Sequence, residues 1–210
     1  MSDKEELRYK DERSGILVNG VGRSGNRALL YSMGLEEDDF RKPMIGIANS
    51  FSELVPGHIH LRELARVLTQ GADSNLEKAR RIYDFITQNA SYNFMPAYFS
   101  LENIAENCAR SRTGDCGVFA LLFITLCRCA GVPARWQSGW KVEPGFCGAH
   151  DWAQFYAAPY GWLYADPSFG VGAVRENNEE RRLHYFGNLD TFRMVANTQF
   201  QGDFDVPKDH

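Results

Sequence analysis

An α+β fold, with helices first and an antiparallel sheet after them, is what this chain of 210 residues predicts. Apolar residues recur at helical spacing from about residue 59 to residue 130. After Pro133 the texture changes to short aromatic runs, "ARWQSGWKVE", "HDWAQFYAA" and "WLYADPSF". Turns at Pro144-Gly145 and Pro159-Tyr160-Gly161 separate those runs, and connections so short join strands antiparallel only. Helices grouped ahead of strands argue against a wound parallel sheet.

The elements follow in order. Residues 1–14 are charged and carry no apolar pattern. "GILVNG" (15–20) reads as a short strand or extended segment, "NRALLYSMGL" (26–35) as a short helix stopped by Gly34, and "MIGIANSF" (44–51) as a second strand candidate. In "PGHIHLRELARVLTQG" the residues Ile59, Leu61, Leu64, Ala65, Val67 and Leu68, mostly at helical spacing, predict a helix over 59–70, and Gly71 stops it. A further helix starts at Asp73 or Ser74, with Glu77 placed as in a capping box, and buries Leu76, Ala79, Ile82, Tyr83, Phe85 and Ile86. One more is expected around 101–109. The main helix spans 116–130 and ends at Gly131 and Pro133. Late in the chain, "FGNLDTFRMVAN" is expected to pack back on the sheet.

Composition excludes several functions. With 23 Lys and Arg against 27 Asp and Glu the chain has no basic footprint, so nucleic acid is not an expected partner. No apolar stretch approaches the roughly 20 residues of a membrane span. The N-terminus lacks the apolar core of a secretory signal, and a cytoplasmic location is expected. Five cysteines are an odd number and give no disulfide framework.

One cysteine stands apart. In "RTGDCGVFALLF", Cys116 occupies the first step of a buried helix, where the positive helix end lowers a thiol pKa. A neighbouring imidazolium lowers it further, and His150 alone among five histidines opens a strand expected to pack on that helix. The next strand carries Asp166, placed to orient the imidazole, although the sequence does not define the register. Nucleophile, base and orienter form the arrangement of covalent catalysis. Cys108, Cys127 and Cys129 read as core residues. Cys147 and His150 have a C-x-x-H spacing without further ligands, so no metal and no cofactor are expected. The Cys116 backbone N–H is the first candidate oxyanion donor, with a second sought in 92–100.

"GDCGVFALLFITLCRCAGVPARWQSGW" and "HDWAQFYAAPYGWLYADPSF" resemble the nucleophile segment and the histidine–aspartate hairpin of the transglutaminase-like superfamily. "NLEKARRIYDFITQNASYNF" resembles the helix preceding them, and the likeness covers roughly 72–200. The resemblance implies a papain-like core and carries catalytic roles onto Cys116, His150 and Asp166. Asp151 stands where many members have a small residue.

The front of the chain has another likeness. "GVGRSG" (20–25) fits a dinucleotide glycine pattern, but its strand is too short and no acidic residue follows at the required distance. "NRALLYSMGLEEDDFRKPMIGIANSFSELVPGHIHLRELA" (26–65) resembles the N-terminal segment of dihydroxy-acid dehydratases, which are iron–sulfur enzymes. That family's later cysteine motifs are absent, so His58 and His60 lack partners and dehydratase activity does not follow. The expected division is an extension over 1–70 and a catalytic domain over 71–210, with a seam near Arg66–Asp73.

The expected function is thiol-dependent acyl transfer, hydrolysing a peptide or carboxamide bond of a peptide or protein substrate through a thioester. The alternatives are a non-catalytic binding module with the same fold and, further off, a dehydratase fragment.

Overall fold

The computed structural model describes residues 56–200. The strands expected at 15–20 and 44–51, the helix at 26–35 and the glycine pattern at 20–25 lie outside them. Helix α1 (Pro56–Leu68) turns Leu61 and Ala65, one helical turn apart, into the core. Although it precedes the seam read from the sequence, α1 packs on the central helix of the fold. Helix α2 (Asn75–Asn89) starts as its capping signal demands: Ser74 Oγ accepts from the Glu77 N–H at 3.1 Å, and Glu77 accepts from the Asp73 N–H at 3.2 Å. It buries Ala79, Ile82, Tyr83 and Ile86. A two-residue strand, β1 (Ser91–Tyr92), pairs in parallel with β2 (Thr113–Gly114) across helix α3 (Ile104–Ser111).

Helix α4 (Cys116–Cys129) is apolar nearly all round, as a helix enclosed on every side must be. Helices α1, α2 and α3 cover one part of its surface and the sheet covers another. Phe123 meets Phe155 edge-on, with ring centroids 5.9 Å apart.

The main sheet is built from β3 (Ala134–Glu143), β4 (Phe146–Ala157), β5 (Gly161–Ala165), β6 (Phe186–Gly187) and β7 (Arg193–Asn197). Its order is β6-β5-β4-β3-β7, and every pairing is antiparallel. The late segment therefore returns to both edges of the sheet. Alternation along β4 turns Ala153, Phe155 and Ala157 to the helical core. The opposite parity puts His150, Trp152 and Gln154 on the other face, where Trp152 Nε1 donates to Gln137 at 2.7 Å. Tyr156 and Trp162 are directly opposed across the β4–β5 hairpin, their rings 5.8 Å apart.

Two helices have no counterpart in the sequence reading: α5 (Pro167–Arg175) and α6 (Glu179–His184). Both are short, and α5 contains two glycines, so neither displays a period long enough to recognise. Among the described residues, no helix is long and apolar enough to cross a membrane.

Candidate active site

Asp115 builds the nucleophile turn. Its side chain caps α4, accepting from the Val118 N–H at 3.2 Å, so Cys116 becomes the first helical residue. Asp115 also accepts from the Tyr98 hydroxyl at 2.5 Å, and that oxygen in turn accepts from the Gly117 N–H at 3.1 Å. A Cβ at position 117 would lie 2.3 Å from the Tyr98 oxygen, which explains the glycine after the cysteine. The segment before α3 is thereby strapped to the turn. The Gly117 N–H is committed to Tyr98.

His150 and Asp166 meet as the sequence reading expects, but by another local route. Ala165 pairs with Ala153 and ends β5. Asp166 is then the N-cap of α5 and not a strand residue; Pro167 follows at the first helical position, which suits a residue without an N–H. One Asp166 oxygen accepts from the Phe169 N–H at 3.0 Å, and the other lies 2.7 Å from His150 Nε2. The pair is buried: Asp166 is 0% exposed and His150 9%. The His150 ring stacks on Trp152 and meets the Phe169 ring edge-on at 4.9 Å.

Sequence reasoning missed Arg193, which stands behind this pair. Its Nη1 donates to the same Asp166 oxygen at 2.8 Å, while Nε and Nη2 reach Asp190 at 3.0 and 2.8 Å. Tyr185 donates to Asp190 as well, at 3.0 Å. The guanidinium is covered by the rings of Phe169, Trp152 and Tyr185, at 4.7, 5.3 and 5.7 Å. Burial alone would raise the Asp166 carboxyl. His150, Arg193 and the Phe169 N–H outweigh that and hold it below its ordinary value. Arg193→Met would leave the buried carboxylate short of a cation and should destabilise the protein by about 3–5 kcal/mol. Urea unfolding measures this, and Arg193→Lys should recover only part of the loss, because an ammonium cannot bridge both carboxylates in a fixed fork.

The thiol itself has a different partner. Cys116 Sγ donates to Asp151 Oδ2 at 3.6 Å. Asp151 shares the core-facing parity of Ala153 and Phe155, so the strand presents it to the start of α4 while His150 turns to the other face. Burial first, and then the Asp151 charge, push the Cys116 thiol up to about 12; the Asp151 backbone amide, hydrogen-bonded to the sulfur, works in the opposite sense. Burial also pushes the Asp151 carboxyl up to about 6, although its bond to Cys116 and the neighbouring His150 lower it. Burial and the neighbouring carboxylate together favour the neutral thiol.

Asp151→Asn therefore has a definite sign. Removing the adjacent carboxylate stabilises the thiolate, so the alkylation midpoint of Cys116 should move to lower pH by about one unit or more. A carboxyl whose folded value lies above its unfolded value loses stability as pH rises through that interval, so the variant should also melt higher at pH 7.5. Iodoacetamide rates against pH and calorimetry check both effects.

Among the described residues, no three or more His, Cys, Asp or Glu side chains form a group able to hold a metal. Cys108 and Cys127 are buried in the core, and Cys147 is exposed on β4.

Comparison with known proteins gives two separate likenesses. The front of the chain is similar to dihydroxy-acid dehydratases: that of Methanothermobacter thermautotrophicus is 50% identical over 62 residues, 30% of this chain. That of Methanococcus vannielii is 54% identical over 62 residues. The chain spans 11% of the length of each of these two relatives. Among solved structures, a candidate cysteine protease from Cytophaga hutchinsonii is 27% identical, with 52% of this chain and 37% of that one covered and a TM-score of 0.43. The periplasmic domain of TgpA from Pseudomonas aeruginosa is 19% identical, covering 69% of this chain and 51% of that one with a TM-score of 0.47. The sequence model of the transglutaminase-like superfamily matches residues 62–167, taking in the α4 turn, the histidine strand and Asp166. With half of its length matched, the chain belongs to the transglutaminase-like superfamily.

Proposed function

We propose that this protein is a cysteine acyl-transfer enzyme in which Cys116 is the nucleophile, His150 the general base and acid, and Asp166 the residue that orients His150. The observation that carries this reading is the position of β4. The strand that holds His150 against Asp166 at 2.7 Å also delivers the next residue, Asp151, to the Cys116 sulfur at 3.6 Å. Cys116 and His150 thus adjoin the same short stretch of β4, the sulfur at Asp151 and the imidazole on the opposite face. Since Nε2 is bound to Asp166, Nδ1 is the ring nitrogen left to take the thiol proton, a step that requires Sγ to leave Asp151 and turn toward the His150 face of β4. The thiolate attacks the carbonyl carbon, the C–N bond breaks, and His150 returns the proton to the departing amine. Water then attacks the thioester, the S–C bond breaks, and carboxylic acid and free thiol are released. The Cys116 N–H faces the developing oxyanion.

Hydrolysis of a peptide or carboxamide bond is the favoured outcome. One observation favours a second reading, an idle site on a binding module: the thiol is hydrogen-bonded to a carboxylate and pushed up to about 12. The pH profile of Cys116 alkylation separates them, with peptide mapping to set aside the exposed Cys147. A reactive fraction titrating well below the ordinary thiol value supports catalysis. A single titration near 12 supports the idle site.

A further inference from the structure

A cavity of about 500 Å³ opens between β1 and α5, within the roughly 300–1,000 Å³ range of small-molecule and substrate pockets. Its walls include Tyr92, Phe169, Val171, Gly172 and Val174, together with the charged residues Arg175, Glu176 and Arg181. Two of these residues tie it to the reacting groups. Phe169 is the ring that meets His150 edge-on at 4.9 Å, and Tyr92 pairs with Gly114, two residues before Cys116. A peptide lying across Cys116 therefore has this cavity beside it. The lining is mostly apolar, and one helix position is vacant: a Cβ built at Gly172 meets no atom within 4 Å.

We infer that this cavity is the specificity subsite of the enzyme and receives a large apolar side chain, aromatic or leucine-sized, from a peptide substrate beside the scissile carbonyl. The inference rests on the acyl-transfer reading for its location, and on the cavity's size and lining for its occupant. Gly172 matters because any larger residue at that position of α5 grows into the space the substrate side chain fills. Leucine there is also a better helix former than glycine, so the fold has no reason to suffer.

The test separates binding from chemistry. Isothermal titration of the full chain carrying Cys116→Ser, with acetyl-Ala-Phe-Ala-amide and acetyl-Ala-Ala-Ala-amide, measures the preference without turnover. The phenylalanine peptide should bind at least tenfold more tightly, as expected for burying an aromatic side chain. Adding Gly172→Leu should bring the ratio of the two affinities close to one. Val174→Asp, which puts a charge on the wall without filling the cavity, should reduce the ratio in the same direction. Equal affinities in the Cys116→Ser chain, or a ratio untouched by both cavity variants, would overturn the inference. The matching chloromethyl ketones, applied to the unsubstituted protein, report on the nucleophile separately. A binding preference without labelling of Cys116 would leave the subsite standing and sink the acyl-transfer reading.

Discussion

Cys116→Ser should reduce amidase and thioester-forming activity to background while leaving the fold and its melting temperature almost unchanged. The hydroxyl of serine is far less acidic than a thiol and cannot form the attacking anion under the same neighbours. Structurally the change is mild. A serine oxygen can donate to Asp151 as the sulfur does, and the Asp115 cap that starts α4 does not involve the Cys116 side chain. The informative control is Cys127→Ser. Cys127 is completely buried in the last turn of α4, and a hydroxyl there should cost about 1–3 kcal/mol while alkylation of Cys116 continues. Activity surviving in Cys116→Ser, or equal loss of labelling in both variants, would remove Cys116 from the mechanism.

The second large effect is expected at Asp166. Asp166→Asn keeps the shape but loses the anion that faces both His150 and Arg193. Without it the imidazolium loses its hydrogen-bonded counter-charge, so the thiolate–imidazolium pair forms less readily and the Cys116 alkylation midpoint should move to higher pH. Turnover should fall by about 10³-fold or more, the scale seen when a triad aspartate becomes an amide. Stability should fall too, because Arg193 is left buried beside a neutral amide. The pH dependence distinguishes the parent from the variant. The Asp166 carboxyl lies below its ordinary value in the folded protein, so its contribution is present above the unfolded value and lost as pH falls through the depressed one. Denaturant midpoints at pH 7 and pH 3 should therefore differ less in Asp166→Asn than in the parent. An unchanged alkylation profile would reduce Asp166 to a helix cap.

Much of the fold was legible because its signals are local. The Ser74–Glu77 cap, the Gly-Asp step before Cys116 and the glycine stops depend only on neighbours a few residues away, so α2 starts, and α4 starts and ends, within a residue of where the sequence puts them. The short turns required an antiparallel sheet, and the sheet is antiparallel throughout the described residues. Even the His150–Asp166 approach was implied once both residues flanked one hairpin.

What the sequence by itself determined, then, is the order of elements, the helix start that presents Cys116 and the placing of His150 and Asp166 on the two sides of one hairpin. Only the tertiary structure decided which face of β4 meets α4. That choice gives Asp151, and not its neighbour His150, the contact with the sulfur. It also brought in Arg193, 27 positions after Asp166 in a polar stretch that gives no sign of burying a guanidinium. The physical reason is the same in both cases. Strand alternation assigns residues to two faces but not to a core, and a buried ion pair between distant segments leaves no local pattern. Both are defined only when α4 packs on one face of the sheet and β7 closes its edge beside β3.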